Sequence, residues 1–451
     1  MIEGRRLEVI GSAGCNLKCS YCYLHKNPSY FEEDKLVVKA MKDGTFLKNI
    51  KTVLKYLKVY PEEFETFTIW GGETAAHLSE CKEFFASIFQ TFPKIKKVSY
   101  STNFTVNIQN HLDFIEVMEK YCQQNEIHFE MQISIDGPTP INKITRGYDF
   151  EDCHKKTKEL IEKLNQIKLK KVHVGISYKA TLPWVIYRQI CSSIESIEEY
   201  LSFWKNESDY FNDLIINGNV NFSVGSCYGP SLEAPYRYTV QDGIEMANFS
   251  NMIFCHHLDE KFDALVNMPL LSCGLVIPED ENVYNFNSGC GEMATTFTFS
   301  WDGRLNPCSN GFMDFDDTNV EWLKNNDPKE YKRVLKSRPL SIMANKDRSL
   351  DLEAIAEKHQ KALDFWPTQG MFIKTVLNSQ LYELACAGQV SPIYKEDHFL
   401  RYRHAVLIYR KVACSFNAKR ETGSVHVPLA DFFKLSCNGL SELYELRRYG
   451  K

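Results

Sequence analysis

From residue 5 to about 225, short β-rich runs alternate with amphipathic helical patterns, and this rhythm constrains the fold more than any other feature. The runs are Leu7–Ile10, Thr66–Trp70, Lys97–Ser101, Phe129–Ile135, Val172–Tyr178 and Val220–Val224. Between them lie Asp34–Leu57, Ser79–Phe92, His111–Gln123, Phe150–Ile167 and Pro183–Trp204, with apolar residues at helical spacing. Strands that alternate with helices build βαβ units and a parallel sheet. Functional loops in such folds gather at the C-terminal ends of the strands.

The first of those ends carries Gly14-Cys15-Asn16-Leu17-Lys18-Cys19-Ser20-Tyr21-Cys22-Tyr23. Three cysteines at C-x3-C-x2-C spacing can hold three corners of an iron–sulfur cube. The common bacterial run supplies every corner from cysteines, and here no fourth Cys follows nearby. One iron would stay open to a ligand that is not protein. The competing reading is a zinc site, but zinc knuckles come in pairs, and no second knuckle follows.

This stretch, with the aromatic Tyr21 before the third Cys, resembles the radical S-adenosylmethionine (SAM) superfamily. The resemblance implies a partial (β/α)6 TIM-like barrel and a [4Fe–4S] cluster on Cys15, Cys19 and Cys22. Its open iron would chelate the amino and carboxylate groups of SAM, with reductive cleavage to a 5'-deoxyadenosyl radical. Further motifs follow at strand ends. Gly71-Gly72-Glu73 lets a backbone approach closely with no Cβ in the way, and matches the motif that holds the amino group of SAM. Ser101-Thr102-Asn103 reads either as a helix cap or as a site-facing segment, with Asn103 its SAM- or substrate-contacting member. Ser134-Ile135-Asp136-Gly137-Pro138 is a good turn. With the trailing Arg146-Gly147 it also resembles radical SAM enzymes that carry the auxiliary-cluster extension called SPASM. That puts Ser134 and Asp136 near the SAM ribose and Arg146 on its carboxylate. Ile176 is a candidate for packing on adenine, with core packing the preferred reading. No catalytic acid or base stands out.

After residue 225 the rhythm stops. Cys255-His256-His257 are adjacent, and neighbours on a helix point to different faces. A second constellation follows: Cys273, Cys290 and Asp302-Gly303-Arg304-Leu305-Asn306-Pro307-Cys308. The segment Thr295–Trp301 alternates like a strand, and Asp302-Gly303 suits a hairpin turn. Gly303-x4-Cys308 resembles the opening of SPASM and shorter twitch domains, which implies one auxiliary [4Fe–4S] cluster held by Cys290, Cys308 and, as first choice, Cys273, with Cys255 or a C-terminal Cys next. The compact run that holds a second auxiliary cluster is missing, and the last cysteines, Cys386, Cys414 and Cys437, are far apart. The expected organisation is a barrel over residues 1–225, a linker with the small hairpin-containing auxiliary-cluster region over 226–320, and a mostly helical C-terminal region over 321–451. In that last region Leu400–Ala413 mixes basic and aromatic residues. A core-facing helix is preferred there over a nucleic-acid surface.

Bulk composition narrows the partners. The chain has 451 residues, room for two or three domains. A net charge of −5 gives no basic bias toward nucleic acid or an anionic membrane. Absence of a signal-peptide pattern and of any membrane-length apolar run makes a cytoplasmic location the expectation. The 15 cysteines then argue for clusters and free thiols over a disulfide frame. Cys81, Cys122, Cys153 and Cys191 lie in helical patterns and read as buried thiols. The resemblance further implies a reducing partner such as flavodoxin or ferredoxin. The expected activity is oxidative modification of a peptide or protein side chain, with a nucleotide, sugar or amino acid as alternative substrate. A non-catalytic metal-binding protein is the third reading. The chain opens directly on a barrel strand. That weakens the ribosomal-peptide reading and leaves sulfatase maturation or a small molecule open.

Overall fold

The structure is a computed structural model that describes residues 4–22, 33–183, 186, 189–190, 194–226, 296–306, 350–357 and 359–360. One sheet of eight strands organises them, in the order β6-β5-β4-β3-β2-β1-β7-β8. Strands β1 (Arg5–Ser12), β2 (Phe64–Gly71), β3 (Lys97–Thr102), β4 (Ile127–Ser134), β5 (Val172–Leu182) and β6 (Gly218–Ser226) pair in parallel, each with the next in sequence. Helices α1 (Asp34–Lys42), α2 (Thr45–Tyr56), α3 (Lys82–Thr91), α4 (Ile108–Tyr121), α5 (Thr139–Thr145), α6 (Phe150–Gln166) and α7 (Ile194–Asn212) fill the crossovers. This is an α/β fold with a partial TIM-like core.

The segment Asp34–Leu57 forms two helices where one was expected. Gly44 breaks it at a φ of 77°, in the left-handed region. Asp43 Oδ1 then accepts a hydrogen bond from Thr45 N at 2.9 Å. The turn expected after Asp136-Gly137-Pro138 holds but leads straight into α5, with Thr139 and Pro140 at its start. The hairpin is present: β7 (Thr296–Phe299) and β8 (Leu305–Asn306) are antiparallel, and Gly303 takes a φ of 87° in the turn. Its placement was not legible. β7 adds to the free edge of β1 in parallel, Leu7 beside Phe297 and Val9 beside Phe299.

The two faces of the sheet differ sharply in chemistry. Leu7, Val9, Phe67, Ile69, Val98, Tyr100, Phe129, Met131, Val174, Ile176, Val220 and Phe222 share one face, all buried. That face meets the helices. Phe67 packs on Phe89 of α3 at 5.7 Å between ring centroids, and Phe129 on Phe114 of α4 at 5.9 Å. Each such side chain contributes about 1.5–3 kcal/mol by leaving water. Alternate residues point the other way and are mostly polar. Glu8, Thr68, Ser99 and Glu130 follow one register line across β1 to β4. Ser101, Gln132, Ser177 and Asn221 follow the next, and Ser134, Lys179 and Ser223 the row at the mouth.

Candidate active site

The cysteine loop leaves β1 and is pinned at its start. Asp34 of α1 accepts from Ala13 N and Gly14 N at 2.8 Å each and from Ser12 Oγ at 3.2 Å. His77 Nε2 lies 2.9 Å from the same carboxylate. Burial opposes the Asp34 charge, but the His77 and backbone bonds outweigh it and hold the carboxyl at about 2. The far end of the loop is held by Ser20 N, which donates to Thr145 O at 2.8 Å.

Gly71 and Gly72 press against this loop. A Cβ on Gly71 would stand 2.0 Å from Ser12 O, and one on Gly72 2.0 Å from Gly14 O. Gly72 N and Glu73 N donate to those two carbonyls, at 3.0 and 2.7 Å. The close approach these glycines permit is therefore to the cysteine loop itself. Glu73 is buried, and its carboxylate accepts from Ala75 N at 3.1 Å, Asn103 N at 2.6 Å and the Thr102 hydroxyl. Burial pushes its pKa up to about 7, against the pull of those three donors.

On the other side stands Asp136, 0% exposed. Oδ1 accepts from Arg146 Nη2 at 3.0 Å and Thr181 N at 2.8 Å. Oδ2 accepts from Tyr21 OH at 2.8 Å and lies 3.0 Å from Arg146 Nε. The Arg146 guanidinium also sits 5.5 Å from the centre of the Tyr21 ring. The aromatic before the third cysteine is thus tied by both its edge and its face. Tyr148 OH donates to Asn103 O at 2.9 Å and Ser134 O at 3.1 Å, linking the ends of β3 and β4.

The structure brings Cys15, Cys19, Cys22, Tyr21, Gly71, Gly72, Glu73, Asn103, Ser134, Asp136 and Arg146 to one end of the sheet. It does not bring Ile176 there. That side chain is fully buried on the helix-facing side, in register with Met131 and Val220. Period-two alternation gives the reason: Ser177, its neighbour, takes the inner face. Cys273, Cys290, Cys308 and the Cys255-His256-His257 trio lie outside the described residues. Cys81, Cys122 and Cys153 belong to the hydrophobic core. Sequence reasoning missed the Asp34 clamp, Tyr148 and Lys179. Asp34 opens a helix 20 residues beyond the loop it holds, and nothing local signals that reach.

The three loop thiols form no disulfide and are half-buried. They are near enough for the charge on one to raise the pKa of another. Burial pushes Cys19 up to about 12, with Arg146 pulling the other way. Among the described residues, no three His, Cys, Asp or Glu side chains stand close enough to share a single metal ion. A cube makes a different demand, since each thiolate binds its own iron. Three adjacent thiols in a pinned loop, with no fourth Cys following nearby in the sequence, fit that group.

Residues 9–182 match the Radical SAM superfamily. A domain of that superfamily implies SAM, a [4Fe–4S] cluster and an oxidoreductase type of enzyme. No curated protein matches the chain. Among solved structures it is similar to native anSMEcpe with bound AdoMet, at 16% identity and a TM-score of 0.42, over 82% of this chain and 99% of that one. Native anSMEcpe with bound AdoMet and Kp18Cys peptide is similar at 18% identity and a TM-score of 0.41, with the same coverage. Among the described residues no helix is long and apolar enough to cross a membrane.

Proposed function

We propose that this protein is a radical SAM enzyme of the SPASM/twitch type that oxidatively modifies a peptide or protein side chain. The observation that carries the auxiliary-cluster part is the β7–β8 hairpin with Gly303 in its turn. It falls between sequence positions Cys290 and Cys308, the spacing an auxiliary cluster requires. Cys15, Cys19 and Cys22 would hold the first cluster, which supplies reductive cleavage of SAM when bound. Gly72 and Glu73 fix the loop that carries those thiols. Ser134, Asp136 and Arg146 form the wall where the ribose and carboxylate of SAM find partners. Since Arg146 is already paired with Asp136, it presents a neutral pair on this wall, with no loose charge. Loading iron on the loop must displace protons that burial holds on Cys15 and Cys19, so loading improves as pH rises.

A small-molecule substrate is the second reading, favoured by the polar inner face. Lys179 stands at its mouth beside Ser134 and Ser223, where an oxyanion would find a cation. Burial lowers the Lys179 pKa. Trp70, on the same face, has a buried indole N–H with no acceptor among the described residues.

Anaerobic reconstitution tests the reading. About four irons are expected on Cys15, Cys19 and Cys22, and about four more on the auxiliary site. Replacing Cys290 and Cys308 with Ala removes only the second set. Zinc in place of iron, or no deoxyadenosine from the reduced protein, refutes the radical SAM assignment for this chain. Deoxyadenosine release stimulated by peptide fractions supports the first substrate class, and stimulation by metabolite fractions the second.

A further inference from the structure

We infer that Asn103 tunes the reduction potential of the cluster on Cys15, by donating an N–H from its side-chain amide to the Cys15 sulfur. The inference rests on the cluster assignment above and goes beyond it. Asn103 Nδ2 lies 3.6 Å from Cys15 Sγ, within the range of an N–H···S bond, and 2.9 Å from Asn16 Oδ1. The orientation of an asparagine amide must come from its hydrogen-bond network, and here the network decides it. Thr105 N, which can only donate, lies 2.9 Å from Asn103 Oδ1. That atom is therefore the oxygen, and the nitrogen faces Cys15. A closed ring reinforces the choice. Asn16 Nδ2 donates to Thr105 Oγ1 at 2.7 Å, and that hydroxyl donates on to Asn103 Oδ1 at 2.6 Å.

The backbone under Asn103 is held from every side. Glu73 Oε2 accepts from its N, and Tyr148 OH donates to its O. The next residue, Phe104, takes a φ of 59°, which a bulky residue rarely adopts. Lys156 Nζ secures this turn by donating to Thr105 O at 2.6 Å, Val106 O at 3.1 Å and Phe104 O at 3.4 Å. So much fixation around one amide is consistent with a site that must stay aimed. A donor on a cluster sulfur stabilises the more negative, reduced state. Hydrogen bonds to the sulfurs are among the determinants of an iron–sulfur potential. Asn103 is thus a positioning and tuning residue. Its backbone N also joins it to Glu73, so the Gly-Gly-Glu carboxylate and the first cluster thiolate are two bonds apart.

The test is an EPR-monitored redox titration of the reconstituted full chain, wild type against N103L and N103D. Both variants lack the donor. The expected result is a full iron set on the loop and a reduction equilibrium at least tenfold less favourable. For a one-electron couple that is a drop of 59 mV or more. Unchanged potentials in variants that load normally overturn the inference and leave the radical SAM reading intact. Loss of iron from wild type overturns the reading itself. If the variants do not load, wild-type protein labelled with 15N-asparagine decides. A hyperfine coupling from the side-chain nitrogen to the reduced cluster is expected, and its absence overturns the inference.

Discussion

Two buried carboxylates flank the cysteine loop, and they are stabilised in opposite ways. Asp136 is matched to a full positive charge, with two contacts from Arg146 and one from the Tyr21 hydroxyl. Glu73 is matched only to neutral donors, Ala75 N, Asn103 N and the Thr102 hydroxyl. These donors and the weaker pull of Lys156 do not offset full burial, so Glu73 holds its proton up to about pH 7. The lesson is that the two walls of the site differ in stiffness toward pH. The Asp136 wall is a neutralised pair, while the Glu73 wall can gain or lose a charge under mild conditions.

Removing the cation breaks this comparison most severely. Arg146→Met should leave Asp136 buried and unpaired, at about 3–5 kcal/mol of stability, read as a shift in the denaturant midpoint of the cluster-free protein. The pH dependence comes next. The folded pKa of Glu73 lies above its ordinary value, so between about 4.5 and 7 the folded state binds the extra proton and stability falls as pH rises. The total is up to about 3 kcal/mol. Glu73→Gln should flatten that slope, and an unchanged slope would assign it to another group. Smallest is Tyr21→Phe, which takes one charge-assisted bond from Asp136 and costs about 1–2 kcal/mol.

Much of this was legible in the residues. The six barrel strands, the cysteine loop and the motifs at strand ends follow from period-two and period-3.6 patterns. The strands read short because their ends are not apolar: Arg5, Arg6, Gly11 and Ser12 belong to β1, yet only Leu7–Ile10 reads as a strand in the sequence. Gly71-Gly72 announced a close approach, but spacing could not say to what. The approach is to Ser12 O and Gly14 O. Ile176 was a candidate for packing on adenine with core packing preferred, and alternation along β5 puts it in the core. The Asp34 and Asn103 networks were hidden because their partners lie 20 and 88 residues away in the chain.

One further consequence concerns synthesis. The free edge of β1 is covered by β7, and the partners are far apart in sequence. Thr298 Oγ1 donates to the buried Glu8 Oε2 at 2.7 Å across 290 residues, and Phe297 meets Phe64 edge-on at 5.6 Å. At roughly 5–20 residues per second, the nascent chain completes β6 and must then wait several seconds for β7 to emerge. During that interval β1 presents unpaired backbone groups and an uncovered Glu8 to the cell. An open parallel edge is a template for pairing with the wrong chain. A strand that arrives only after the six barrel strands is therefore the one that makes the first strand safe.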